Sequence, residues 1–158
     1  MKVREIMSSP ALFVSPEARV GAVARMMADN GIGGVPVMDV TGKVVGMVTQ
    51  SDLIVRNANI HFPHFLQFLD ARIYLENPKH FEGEMRRMLG TTAADVMTSP
   101  CIVVDADDDV EQAATLMMEK RIHALPVLEK GQLAGIVSQA DMVRLIADEE
   151  RDQSPSDS

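Results

Sequence analysis

The chain has 158 residues, 46% hydrophobic and 24% charged, which suits a globular fold with a substantial core. Its 15 Lys and Arg stand against 23 Asp and Glu, and the resulting charge of −8 excludes bulk binding to a nucleic-acid backbone, which is held by surplus cations. A single cysteine, Cys101, excludes an internal disulfide and a Cys-x-x-Cys metal knuckle.

In chain order, Met1 to Glu5 carries charges where a secretion signal needs an apolar stretch, and no run approaches the roughly 18–20 apolar residues that span a bilayer. A reducing cytoplasm is the expected location, with no membrane contact. Leu12 to Val14 reads as a short strand. Ser15-Pro16-Glu17 suits a helix start, and Val20, Val23, Ala24 and Met27 recur at helical spacing until Gly31 stops them. Two apolar strands follow, Val35 to Met38 and Val44 to Thr49, joined by a turn at Thr41-Gly42, and a final helix opens after Thr49. Residues 57–92 read as a helical insert. Phe65, Leu66, Leu69 and Ile73 suggest one helix, and Asn77-Pro78 opens a second that Gly90 ends.

The pattern then returns. VREIMSSPALFV at 3–14 reappears as AADVMTSPCIVV at 93–104, GIGGVPVMD at 31–39 as RIHALPVLE at 121–129, and GMVTQSD at 46–52 as GIVSQAD at 135–141. Ile102 to Val104, Asp107-Asp108-Asp109, the helical set Val110, Ala113, Ala114 and Met117, and the strands Leu125 to Leu128 and Leu133 to Ser138 repeat the first unit's order. The fold class is α+β: a β-α-β-β-α unit at 1–56, the insert at 57–92, a second unit at 93–148, and a polar, Ser-rich tail at 149–158 that reads as disordered.

An apolar-Pro-Val strand followed by G-[MI]-V-[TS]-x-x-D before a helix, twice in order and each time behind an M-[ST]-S-P entry segment, resembles the cystathionine β-synthase-type (CBS) domain in tandem, the arrangement called a Bateman module. The resemblance implies two small three-stranded sheets with helices, packed about a pseudo-twofold axis. It also implies inter-unit clefts for adenosine-containing ligands such as AMP, ADP or ATP, and assembly into a homodimer. Each cleft would combine the aspartate of one unit with the entry strand and apolar-Pro segment of the other.

The chemistry of such a ligand suits these residues. A carboxylate accepts both hydroxyls of a ribose, each bond to a charged group contributing about 1.5–3 kcal/mol. Asp52 and Asp141 stand early in the final helices, and Thr49 and Ser138, three residues before them, add hydroxyls. Ser8, Leu12, Ile32, Gly34, Thr98, Ile102, Ile122 and Ala124 are the adenine-proximal candidates. Arg121 and His123 replace Gly31 and Gly33 of the first unit, which gives the Asp52 cleft a phosphate handle that the Asp141 cleft lacks.

Plainer readings stand beside these. From local sequence, Asp52, Asp141, Thr49 and Ser138 serve equally well as helix caps. His61-x-x-His64 has no further ligand to complete a metal set, and Asp105 to Asp109 lacks the Gly and closing Glu of a calcium loop. Gly31-Ile32-Gly33-Gly34 lacks the Lys of a phosphate loop. Arg86-Arg87 is too small a patch for nucleic acid. Cys101 reads as structural, and Met26-Met27 and Met117-Met118 as core and dimer-interface packing. No nucleophile–base pair, metal site or redox motif emerges, so the expectation is a regulatory nucleotide-binding module, not an enzyme, with no cofactor and an output through a separate effector protein. The alternative is a ligand-free dimerisation or scaffold module with vestigial clefts.

Overall fold

The computed structural model describes residues 1–54 and 91–153; the two insert helices, His61, His64, Arg86 and Arg87 lie outside the described residues. The described elements are α1 (Val3–Ile6), α2 (Val20–Asn30), β1 (Gly34–Met38), β2 (Val44–Thr49), α3 (Ala93–Val96), β3 (Val104–Asp105), α4 (Val110–Lys120), β4 (Ala124–Glu129), β5 (Gln132–Ser138) and α5 (Gln139–Gln153), with a further helix opening at residue 50. They fall into two compact units that do not follow the repeat boundaries. One joins Met1–Leu12 to the chain from Ile102 onward; the other is Phe13–Cys101.

Each entry segment is thus built into the unit of the opposite repeat. In the unit from Ile102 onward, Val3 is fully buried among Val104, Ala113, Met117, Leu125, Val127 and Val137. The backbone fixes α1 there: the Val3 N–H donates to Asp108 O at 2.9 Å, Arg4 N–H to Ala106 O at 3.0 Å, and Val110 N–H to Met1 O at 3.0 Å. In the Phe13–Cys101 unit the same bonds recur one repeat away. Ala93 N–H donates to Ala18 O at 2.7 Å, Ala94 N–H to Pro16 O at 2.9 Å, and Val20 N–H to Thr91 O at 2.8 Å, while Ala93 is buried with Val14, Val23, Val35 and Val48.

Both β-hairpins form as the alternation predicts, β1 with β2 and β4 with β5, antiparallel. The β4–β5 turn is tight because Lys130 and Gly131 both take positive φ, 51° and 76°, the conformation that suits the strand twist. The longer β1–β2 turn is held by Asp39, whose Oδ1 accepts the N–H groups of Thr41 and Lys43.

The entry strands differ. Val104–Asp105 pairs in parallel with β4 and gives a three-stranded sheet, whereas the first sheet has two strands and Val14 joins it through a single bridge to Val37. Proline accounts for this. Ala106 N–H donates to Leu128 O at 2.8 Å, and Pro16 at the matching position has no N–H to give. Nor does Ser15-Pro16-Glu17 open a helix: α2 starts at Val20 behind Arg19, because the carbonyls of Pro16 and Ala18 are committed to receiving α3. The last helix also runs further than expected: residues 149–153 continue α5, where Glu149, Glu150 and Arg151 are good helix formers and Arg151 lies 3.8 Å from Asp148 one turn earlier, and residues 154–158 lie outside the described residues.

Candidate functional site

The junction between the last strand of each repeat and its final helix is built identically. Thr49 N–H and Thr49 Oγ1 both donate to Asp52 Oδ2, at 2.8 and 3.0 Å, and Asp52 N–H returns a 3.3 Å bond to Thr49 Oγ1. Ser138 and Asp141 repeat this with 2.8, 2.8 and 3.4 Å. Each pair is a capping box with aspartate at the third helical position. The helix-cap reading of these four residues is therefore realised, and it occupies only one oxygen of each carboxylate.

The two second oxygens differ in their surroundings. Asp52 Oδ1 accepts a long 3.3 Å bond from the Thr98 hydroxyl. Asp141 Oδ1 lies 3.2 Å from Arg144 Nη1, and Asp141 is 6% exposed while the Arg144 side chain is 67% exposed. A neutral hydroxyl at long range holds its oxygen loosely; a guanidinium holds its oxygen by charge. Arg144 escaped the sequence reading, although D-x-x-R spacing in a helix places those two side chains together, and Val55 stands at the matching position of the first repeat.

Thr98 reaches Asp52 because its segment closes over β2. Thr98 and Met47 exchange backbone hydrogen bonds of 2.9 and 3.1 Å, and Ser8 and Ile136 exchange matching bonds of 2.8 and 3.0 Å. Glycine permits this approach. A Cβ on Gly46 would meet Met97 Cγ at 2.8 Å and the Thr98 carbonyl at 3.0 Å, and one on Gly135 would meet the Ser8 carbonyl at 2.7 Å. The first letter of the repeated G-[MI]-V-[TS]-x-x-D pattern is thus a packing requirement that lets the entry segment lie flat. Ser9 and Ser99, also absent from the sequence candidates, pin those segments through bonds of 2.9 Å to the carbonyls of Ala134 and Val45.

Of the remaining candidates, Gly34 pairs in register with Thr49, and Ala124 with Ser138, so each begins the strand beside its hydroxyl. Ile32 and Ile122 are half-buried and pack against their own cores. Leu12 is 42% exposed, whereas Ile102 packs against the core of its unit. Within the Phe13–Cys101 unit the structure brings together Thr49, Asp52, Thr98 and Gly34. In the other unit it brings together Ser138, Asp141 and Ala124, with Ser8 paired two residues away at Ile136.

Arg121 and His123 belong to the unit from Ile102 onward. Arg121 ends α4 in the left-handed conformation, φ 55°, where the first repeat has Gly31 at 61°. The His123 ring lies 3.2 Å from Gln139 Oε1, and the His123 carbonyl accepts the Gln139 N–H at 2.9 Å. Cys101 is partly buried, and desolvation pushes its thiol up to about 11, which makes it a poor nucleophile at neutral pH. Among the described residues no cluster of His, Cys, Asp and Glu is arranged to hold a metal ion, and no helix is long and apolar enough to cross a membrane.

A duplicated α+β fold with a hydroxyl–carboxylate box at the head of each final helix defines the class: a tandem-repeat protein whose two candidate sites are copies of one design. The CBS domain profile matches residues 3–58 and again 93–148, and the chain belongs to that family. It is similar to the crystal structure of the CBS domain of a CBS domain-containing membrane protein from Sphaerobacter thermophilus, at 30% identity, TM-score 0.70, covering 92% of this chain and 87% of that one. CBSX2, a chloroplastic protein of Arabidopsis thaliana crystallised in complex with AMP, matches at 25% identity and TM-score 0.68 over 95% of this chain and 98% of its own. An uncharacterised protein of Methanocaldococcus jannaschii, MJ1404, is 30% identical over 93% of this chain, which spans 32% of that protein's length.

Proposed function

We propose that the chain is a regulatory sensor of adenine nucleotides, AMP, ADP or ATP, that works in the cytoplasm as a homodimer. It reports occupancy to a separate effector protein and carries no catalysis of its own. Asp52 takes the ribose diol with Thr49 beside it, Thr98, Ile102, Ile122 and Ala124 flank the adenine, and Arg121 and His123 receive phosphate. Asp141 and Ser138 make the second, weaker site, with Ser8, Leu12, Ile32 and Gly34 forming the apolar and backbone surroundings of its base.

The observation that supports this reading most is the division of labour within Asp52. One oxygen is fixed by its cap and so orients the carboxylate, while the other holds only a 3.3 Å bond to a hydroxyl that a ribose can replace. The AMP complex of CBSX2 supports the ligand class. Ligand at a hundred times its dissociation constant would stabilise the bound form by about 2.7 kcal/mol, which bounds how far the sensor can shift a coupled equilibrium.

A second reading, a scaffold without ligand, is favoured by the capping boxes, which give both aspartates a structural task. A thermal-shift screen with AMP, ADP, ATP, S-adenosylmethionine and NAD separates the two. The sensor reading expects a rise in Tm with an adenine nucleotide that is lost in Asp52→Ala, and flat curves with every compound at millimolar concentration would leave the scaffold.

A further inference from the structure

His123 is held by a residue that no motif of the chain points to. Gln139, the first residue of α5, is joined to residues 122–123 through its backbone and through both ends of its side-chain amide. Its N–H donates to the His123 carbonyl at 2.9 Å, its Nε2 donates to the Ile122 carbonyl at 3.3 Å, and its Oε1 lies 3.2 Å from His123 Nδ1. The first repeat keeps the backbone bond, Gln50 N–H to the Gly33 carbonyl at 3.0 Å, but has no ring at Gly33 to orient.

These bonds fix where the protons are. A backbone carbonyl only accepts, so the amide end facing Ile122 O is the NH2 and the end facing the imidazole is the oxygen. That oxygen also only accepts, so Nδ1 carries the ring hydrogen. The neutral ring then presents a bare Nε2, and His123 is exposed. A bare Nε2 is an acceptor, and so is a phosphate oxygen at neutral pH; the two repel. The ring grips phosphate through Nε2 only after gaining a proton there, and the bond so formed is charge-assisted.

We infer that Gln139 is a positioning residue that links phosphate recognition at His123 to a proton: the phosphate is bound as Nε2 takes one proton from solvent, while Nδ1–H stays on Gln139. The inference rests on the assignment of His123 to phosphate proposed above. Without Gln139 the neutral ring could carry its hydrogen on Nε2 and donate to phosphate with no proton taken up. The charged groups on the neighbouring elements leave the ring to respond to the nucleotide. Lys120 and Arg121 at the end of α4 oppose its protonation until phosphate offsets them. Asp141 on α5 is engaged by Ser138 and Arg144, Lys2 and Arg4 of the entry segment are paired with Asp109, Asp107 and Glu129, and β5 carries no charge.

Two measurements on the full-length chain test this. Two-bond 1H–15N correlation spectra at about pH 8, where imidazole is neutral, read the tautomer without nucleotide, and His123→Ala identifies its signals among the four histidines. The wild type is expected to show Nδ1–H with bare Nε2. Gln139→Glu, which still accepts from Nδ1, should keep that form, and Gln139→Met should shift toward Nε2–H. An Nε2–H ring in the wild type overturns the inference. Titration calorimetry with ATP at about pH 7.5, in two buffers of different ionisation enthalpy, counts protons. The wild type is expected to take up roughly half a proton or more beyond His123→Ala, Gln139→Glu to match it, and Gln139→Met to take up markedly less. Adenosine, which has no phosphate, should draw none. Equal counts in wild type and His123→Ala, or in wild type and Gln139→Met, overturn the proton linkage alone. No binding of ATP in either buffer at millimolar concentration overturns the nucleotide reading and the linkage with it, and leaves the tautomer to the spectra. The wild-type spectra and the His123→Ala comparison need no Gln139 variant, so a misfolded Gln139→Met leaves the test intact.

Discussion

Replacing Asp52 with asparagine keeps the shape of the side chain and removes its charge. The cap survives in part, since an amide oxygen still accepts from Thr49 N–H and Thr49 Oγ1, now 2.8 and 3.0 Å from Oδ2. The loss of stability should stay near the lower end of the roughly 0.5–2 kcal/mol that a lost cap costs. The ligand loses more. Two hydroxyl bonds to a carboxylate contribute about 1.5–3 kcal/mol each, against about 0.5–1.5 for the neutral bonds that the amide nitrogen, now at the Oδ1 position, donates to the hydroxyl oxygens instead, so the substitution should cost about 2–3 kcal/mol of binding. That is a loss of roughly 30- to 150-fold.

Asp141→Asn should cost less, because Arg144 already competes for Asp141 Oδ1 at 3.2 Å and a ribose must displace it. Titration calorimetry with ATP and AMP on the two variants, beside chemical denaturation of each, separates binding from folding. The reasoning fails if Asp52→Asn leaves affinity within a factor of two while Asp141→Asn abolishes it. It also fails if the lost affinity merely tracks lost stability.

Gly135→Ala should destabilise by about 1–3 kcal/mol, since its Cβ would sit 2.7 Å from the Ser8 carbonyl, a backbone atom. Gly46→Ala should cost less, because its nearest neighbours are atoms of the flexible Met97 side chain; thermal denaturation ranks the pair. Arg121→Gly should raise stability by about 1 kcal/mol by relieving a non-glycine residue at φ 55°, while weakening nucleotide phosphate binding in the same preparation. The fixing of α1 should depend on pH at both extremes. The Lys2 ammonium, 2.7 Å away, holds the Asp109 carboxyl below its ordinary 3.8, so that contribution is present above 3.8 and is lost as pH falls through the depressed value. The same hydrogen bond raises Lys2 above 10.5, so its contribution is present below 10.5 and is lost as pH rises through the raised value. Amide exchange at Val3 and Arg4 should quicken on both sides, and Lys2→Met should flatten the dependence.

Much of this design was legible in the sequence because duplication supplies its own control. A hydroxyl three residues before an aspartate is weak evidence once and strong evidence twice, and Thr49-Asp52 and Ser138-Asp141 do form the same box. Details that depend on one repeat differing from the other were harder to read. Pro16 was visible, but its effect was not: the missing N–H shortens a strand only because Ala106 shows what that position otherwise does. Arg144 was hidden by its ordinary context, an exposed arginine on a polar helix, until Asp141 proved to be its partner. The glycines of the repeated motif could not be explained without the segments that close over them, which come from far along the chain.

The exchange of entry segments changes what a half of this molecule would be. Deleting the first dozen residues would leave the opening repeat's own core of Val14, Val23, Val35 and Val48 untouched and strip Val3 from the interior of the distant one. A chain cut in the insert would yield two fragments, each carrying the other's lid. The repeats are therefore interlocked by their covalent order, since each closes its interior with the leading segment of the other.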